Sequence, residues 1–202
     1  GMAARNVGMI IRVWNRKLHF YVGLYLLLFL WLFAFSGLLL NHPGWQFTQF
    51  WPQREVTTTE QSVRVIAAET DIVLAKDLMA QLDLPGEFEF TKRLPQEDRL
   101  EFRVDRPGEI INVTVDLTTQ QASIEVTRVN AWGTLRALHK FTGLHEPVQM
   151  TRDWLPTMLW SVSMDAVAIG SIFLVLSGVY MWYLLRPKRL PGLIALAVGS
   201  AA

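Results

Sequence analysis

Two unbroken apolar runs divide this chain into two flanks and a soluble middle. Leu18 to Leu40 reads LHFYVGLYLLLFLWLFAFSGLLL, without Asp, Glu, Lys or Arg. Met164 to Leu185 reads MDAVAIGSIFLVLSGVYMWYLL, and Asp165 is its one charge. A bilayer core of about 30 Å needs about 20 such residues as a helix, which satisfies its backbone polar groups internally. Both runs therefore predict transmembrane helices. The alternative for the first is a cleaved signal peptide, with Ala34-Phe35-Ser36 as the cleavage site, but the run is longer than a signal core. Trp and Tyr gather near the run ends (Trp14, Tyr21, Trp45, Trp154, Trp160, Tyr180, Trp182), as rings at headgroup level do.

Between the runs the periodicity changes. Val63, Ile66, Ala67, Val73, Leu74, Leu78 and Leu82 recur at helical spacing and predict an amphipathic helix over Glu60–Leu82. Pro85-Gly86 ends it. Three strand-like runs follow, Phe88–Leu94, Leu100–Asp105 and Glu109–Asp116, then a fourth, Ala122–Val129. Asp105–Gly108 and Asp116–Gln120 supply turns. The pattern predicts a small α+β domain, an antiparallel sheet with one face covered by the helix. Trp132–Phe141 reads as an amphipathic interfacial helix, and the closing PGLIALAVGSAA is too short to span and reads as a mobile or interfacial tail. The expected organisation is a flank at 1–17, a span at 18–40, the α+β domain at 43–130, an interfacial segment at 131–154, a second span at 160–185 and a tail at 186–202.

Charge orients the spans. The first flank carries Arg5, Arg12, Arg16 and Lys17 without an acid, and the last carries Arg186, Lys188 and Arg189 without an acid. The segment between has 12 basic and 17 acidic residues, a net charge of −5. Basic flanks stay cytoplasmic, so both termini are expected inside and residues 41–154 outside. The chain of 202 residues has no cysteine, which excludes disulfides, thiolate metal sites, iron–sulfur clusters and a Cys nucleophile. There is no Gly-rich phosphate loop, no trustworthy Ser/His/Asp order and no basic aromatic patch for nucleic acid. No residue stands out as catalytic.

Lys17–His42, KLHFYVGLYLLLFLWLFAFSGLLLNH, resembles the first membrane helix of PepSY-associated transmembrane proteins, with a Leu-His pair and a closing Ser-Gly-Leu-Leu-Leu-Asn-His. LRALHKFTGL (Leu135–Leu144) is similar to that family's Leu-His-Lys-Gly stretch, and LSGVYMWYLL (Leu176–Leu185) to the ending of its later helix. EIINVTVDLTTQQASIEV resembles the last hairpin of a PepSY domain. Phe141 and Gln120 stand where the family tends to have Gly, and Ser36 and Ser177 replace its usual Thr. Larger relatives with four or more spans resemble haem-containing ferric-siderophore reductases. The resemblance implies an inner (plasma) membrane protein with a periplasmic PepSY-like domain, and fixes architecture better than activity.

With four histidines, His19, His42, His139 and His145, the resemblance makes haem b the candidate cofactor, since such a haem takes two axial ligands, often both His. His19 and His42 lie 23 residues apart, about 35 Å along a helix. His42 with His139 is the natural outer pair. His19 at the inner end would need its counterpart in a second chain, which implies a homodimer whose four helices wall the cofactor. Gly23, on the face of His19, and Gly37, below His42, leave room for a flat ring. Ala166 and Gly170 form a small-x-x-x-small pair that serves helix packing equally well. Asp165, in the first turn of a helix starting at Met164, either anchors that helix end or accepts a hydrogen bond from a ligand histidine.

Each histidine also has a plainer reading: His19 as an interfacial residue, His42 as a helix terminator before Pro43, His139 as a solvated residue and His145 as a loop residue. Metal binding by His42, His139 and His145 with a carboxylate is a further reading, without a known zinc spacing. Two function classes follow. One is a haem-based electron-transfer component resembling a ferric or metal reductase, with a metal chelate as periplasmic substrate. The other is a non-catalytic, membrane-tethered module that binds a periplasmic protein or regulates a peptidase, or an accessory subunit of a larger membrane complex.

Overall fold

The structure, a computed structural model, describes residues 2–94, 96–141, 154–184 and 189–201. The chain clusters into two compact units, Gly1–Trp31 with Ser163–Ala202, and Leu32–Val162.

Two helices, α1 (Met2–Asn41) and α4 (Leu155–Leu184), are long and apolar enough to cross a membrane, the first over Val7–Asn41. Both outrun the apolar segments that predict them. Helix-forming Met, Arg and Lys residues carry α1 back towards the N-terminus, and Pro156 fits the first turn of α4, where its missing N–H is no loss. Asn41 ends α1 one residue before His42, the residue that Pro43 biases away from helical backbone. In the first unit Leu26 is fully buried, and a Cβ on Gly170 would lie 2.7 Å from its Cδ1. Glycine at 170 therefore permits the close approach of α1 and α4. Leu28 and Ile169 remain 76% and 68% exposed, surface suited to lipid. The tail forms a helix, α5 (Arg189–Ala201), rather than a loose end.

The second unit holds a five-stranded antiparallel sheet: β1 (Glu55–Ser62), β2 (Glu87–Leu94), β3 (Arg99–Arg106), β4 (Glu109–Asp116) and β5 (Gln121–Arg128), ordered β1-β5-β4-β3-β2. Alternation puts Leu100, Phe102 and Val104 of β3 and Ile111, Val113 and Val115 of β4 on one buried face. Helix α2 (Asp71–Gln81) covers that face with Leu74, Ala75 and Leu78. The domain is α+β, an antiparallel sheet with a covering helix.

The helix expected over Glu60–Leu82 is shorter. Thr70 caps its start by accepting from the Val73 N–H at 3.3 Å, and the preceding residues are strand β1 and an extended link. Thr57, Thr58 and Thr59 are β-branched and favour the strand, which pairs with β5 from Glu55↔Arg128 to Ser62↔Gln121. Helix α3 (Ala131–Lys140) follows β5, capped by the Asn130 side chain, which accepts from the N–H groups of Trp132 and Gly133.

Candidate functional site

The two transmembrane runs each contain a Ser-Gly pair, and each pair meets an imidazole from another helix. In the second unit, Ser36 Oγ of α1 lies 2.7 Å from His139 Nδ1 of α3. A Cβ on Gly37 would lie 3.4 Å from Cε1 of the same ring. Phe33, one turn before Gly37, meets the imidazole edge-on at 5.3 Å. In the first unit, Ser177 Oγ of α4 lies 3.2 Å from His19 Nδ1 of α1, and a Cβ on Gly178 would lie 3.8 Å from its Cε1. Both serines are buried, at 0% and 3% exposure. Each glycine lies beside Cε1 of the ring, at a distance where an added Cβ would make ordinary van der Waals contact.

The Ser36 hydroxyl links the His139 ring to the α1 backbone. Ser36 Oγ donates to the Leu32 carbonyl at 2.6 Å. A hydroxyl has one hydrogen, so while that hydrogen is given to the carbonyl the oxygen can only accept from His139, through an Nδ1–H. A neutral ring in that tautomer holds its lone pair on Nε2, the nitrogen a metal would take. At His19 the serine again occupies Nδ1.

The other expected site residues lie elsewhere. His42 is exposed just beyond α1 and stacks on Trp45, with centroids 4.5 Å apart and planes 4° from parallel. Its neighbour is thus an aromatic ring, whereas His139 is held by Ser36, Gly37 and Phe33. Gly23 faces Leu174, whose Cδ2 would be 3.9 Å from a Cβ there, so a leucine takes the space opposite it. Asp165 is exposed in the third turn of α4, because the helix begins at Leu155 rather than at Met164. The dipole argument for a first-turn carboxylate therefore does not apply to it. His145 lies outside the described residues. Among the described residues no three His, Asp or Glu side chains converge to hold a metal ion.

Sequence reasoning missed Ser36 and Ser177 as partners. The signal was present: Ser-Gly occurs near the end of both apolar runs, and a polar side chain in lipid seeks a bonding partner.

One ionisable cluster stands out in the soluble domain. Arg103 pairs with Glu89 at 2.6 Å and with both Asp105 oxygens at 2.7 and 2.8 Å. Burial, and then the nearby Asp105 carboxylate, push the Glu89 carboxyl up to about 7, with Arg103 pulling the other way.

A family model, the PepSY-associated TM region, matches residues 16–198. No curated protein and no solved structure matches the chain.

Proposed function

We propose, on the premise that this chain belongs to the PepSY-associated TM region family, that it is a haem-b-binding component for electron transfer across the inner membrane. His139 and His19 are the ligand histidines of this reading. The observation that carries it is the Ser-Gly seat: Ser36 Oγ, which also donates to the Leu32 carbonyl, meets the His139 ring at Nδ1 rather than at Nε2. That donor chemistry fits haem iron, which takes neutral imidazole through one nitrogen while the other is anchored. A bound haem would supply one-electron chemistry; this chain's residues hold and orient the rings and exclude water around them. Each seat presents one imidazole, so a second histidine to hold the group would come from a second copy of the chain or, for His139, from His42. The basic flanks support a reading with both termini in the cytoplasm and the α+β domain in the periplasm, where a metal chelate is the substrate class.

A second reading rests on the same bonds. Ser36–His139 and Ser177–His19 also pin helices together, as polar pairs in membranes do. On that reading the chain is a non-catalytic tether, a peptidase-regulating module or an accessory subunit.

Titration of the purified full chain with haem b separates the two. Electron transfer predicts saturable binding, lost in His139→Ala and His19→Ala and weakened about 10–100-fold in Ser36→Ala. Equal binding by all three variants and the parent overturns it.

A further inference from the structure

Beyond the histidine seats, the second unit contains a cavity of about 640 Å³ between the end of α1, the β3–β4 turn and α3. Its polar lining is unevenly paired. Glu89 and Asp105 are engaged by Arg103, and Glu109 by Arg106 and Arg128. Arg136 and Lys140, one turn apart on α3, also line the cavity, and among the described residues no carboxylate pairs with either. Arg136 donates to Thr48 Oγ1 at 3.0 Å and lies over the Phe50 ring at 5.1 Å, while its Nε is closed off without a hydrogen-bond partner. Two cations therefore face a space with no described counter-charge of their own.

The apolar side of the cavity gives its depth. Leu40 comes from the end of the apolar helix, and Pro43, Phe50 and Trp51 from the segment that follows. Beside them Phe47 is 65% and Trp51 49% exposed, next to Trp45, and Arg54 lies over Trp51 at 4.6 Å. Exposed aromatic rings at the end of a membrane helix mark headgroup level.

We propose that this cavity binds the phosphodiester headgroup of an anionic phospholipid. The phosphate sits on Arg136 and Lys140, and the start of the lipid's apolar body lies along Leu40 and Phe50. Arg supplies directional N–H donors to phosphate oxygens, and Lys adds a point charge. Free phosphate shares the headgroup chemistry but lacks the apolar body.

Native mass spectrometry of the full chain, released from mixed phosphatidylglycerol–phosphatidylcholine micelles, tests this. Phosphatidylglycerol should be retained over phosphatidylcholine. Lys140→Gln and Arg136→Gln should each weaken retention by about fivefold, since one basic residue near an anionic surface contributes about 1 kcal/mol. Arg136→Lys should keep most of it. Lys140 is exposed, so its variant keeps the fold even if Arg136→Gln does not. Equal retention of the two lipids, or unchanged phosphatidylglycerol binding in Lys140→Gln, overturns the proposal. Inorganic phosphate at millimolar concentration should fail to displace the lipid; displacement would assign the cavity to a free anion instead.

Discussion

Ser36 Oγ lies 2.6 Å from the Leu32 carbonyl and 2.7 Å from His139 Nδ1, and donation to the carbonyl leaves the oxygen to accept from the ring. Nitrogen-15 spectra of the histidine-labelled chain, before any haem is added, should therefore show His139 as the Nδ1–H tautomer. Ser36→Ala should let both tautomers appear and lower stability by about 1–3 kcal/mol, the usual loss when a buried donor is orphaned. A parent spectrum dominated by Nε2–H would contradict the geometry. Glu89 makes a separate residue-scale prediction. Its carboxyl titrates near 7 in the folded chain against an ordinary 4.5, because burial disfavours the anion. The folded state thus holds the proton more tightly, so the Glu89 contribution is most favourable below about pH 4.5 and is lost as pH rises to 7. Glu89→Gln should stabilise the domain at pH 8 by about 1–2 kcal/mol, after solvent screening of a partly exposed group, and leave it unchanged at pH 4. Urea unfolding at the two pH values checks this. The histidines themselves stood out in the sequence by scarcity alone. Their partners did not, because Ser36 and His139 are 103 positions apart and nothing local links them.

At the scale of elements, legibility followed burial on one face. Strands β3 and β4 alternate buried and partly exposed positions, and their ranges were readable to within a residue. Strand β1 was not, because all eight of its residues are exposed and EVTTTEQS has no apolar alternation to read. Its apolar neighbours Val63 and Ile66 lie beyond it, in phase with α2, and so extended the apparent helix backwards. The β4–β5 turn keeps Gln120 at a φ of +55°, where the hairpin it resembles has glycine. A side chain in that left-handed conformation costs about 1 kcal/mol. Gln120→Gly should raise domain stability by about 0.5–1 kcal/mol in the same unfolding measurement, part of the gain being lost to the freer unfolded chain. Gly170 makes the opposite case. Gly170→Leu places a side chain where Leu26 packs, and should lower the thermal midpoint of the detergent-solubilised chain.

Across the whole molecule, basic flanks, apolar spans and an acidic middle are segregated so cleanly that the membrane architecture was legible without coordinates. The function was less so, since belonging to the PepSY-associated TM region family supplies the architecture and leaves the chemistry to the seats. Two structurally alike seats occur, one in each compact unit. Their common arrangement, serine on Nδ1 and glycine beside Cε1, is the basis for proposing one role for both. The direct test is an absorption spectrum of the full chain, purified in mild detergent from haem-replete cells. The account predicts a red protein with a Soret band that shifts on reduction. A folded, colourless chain that gains no such band when haem b is added would contradict it.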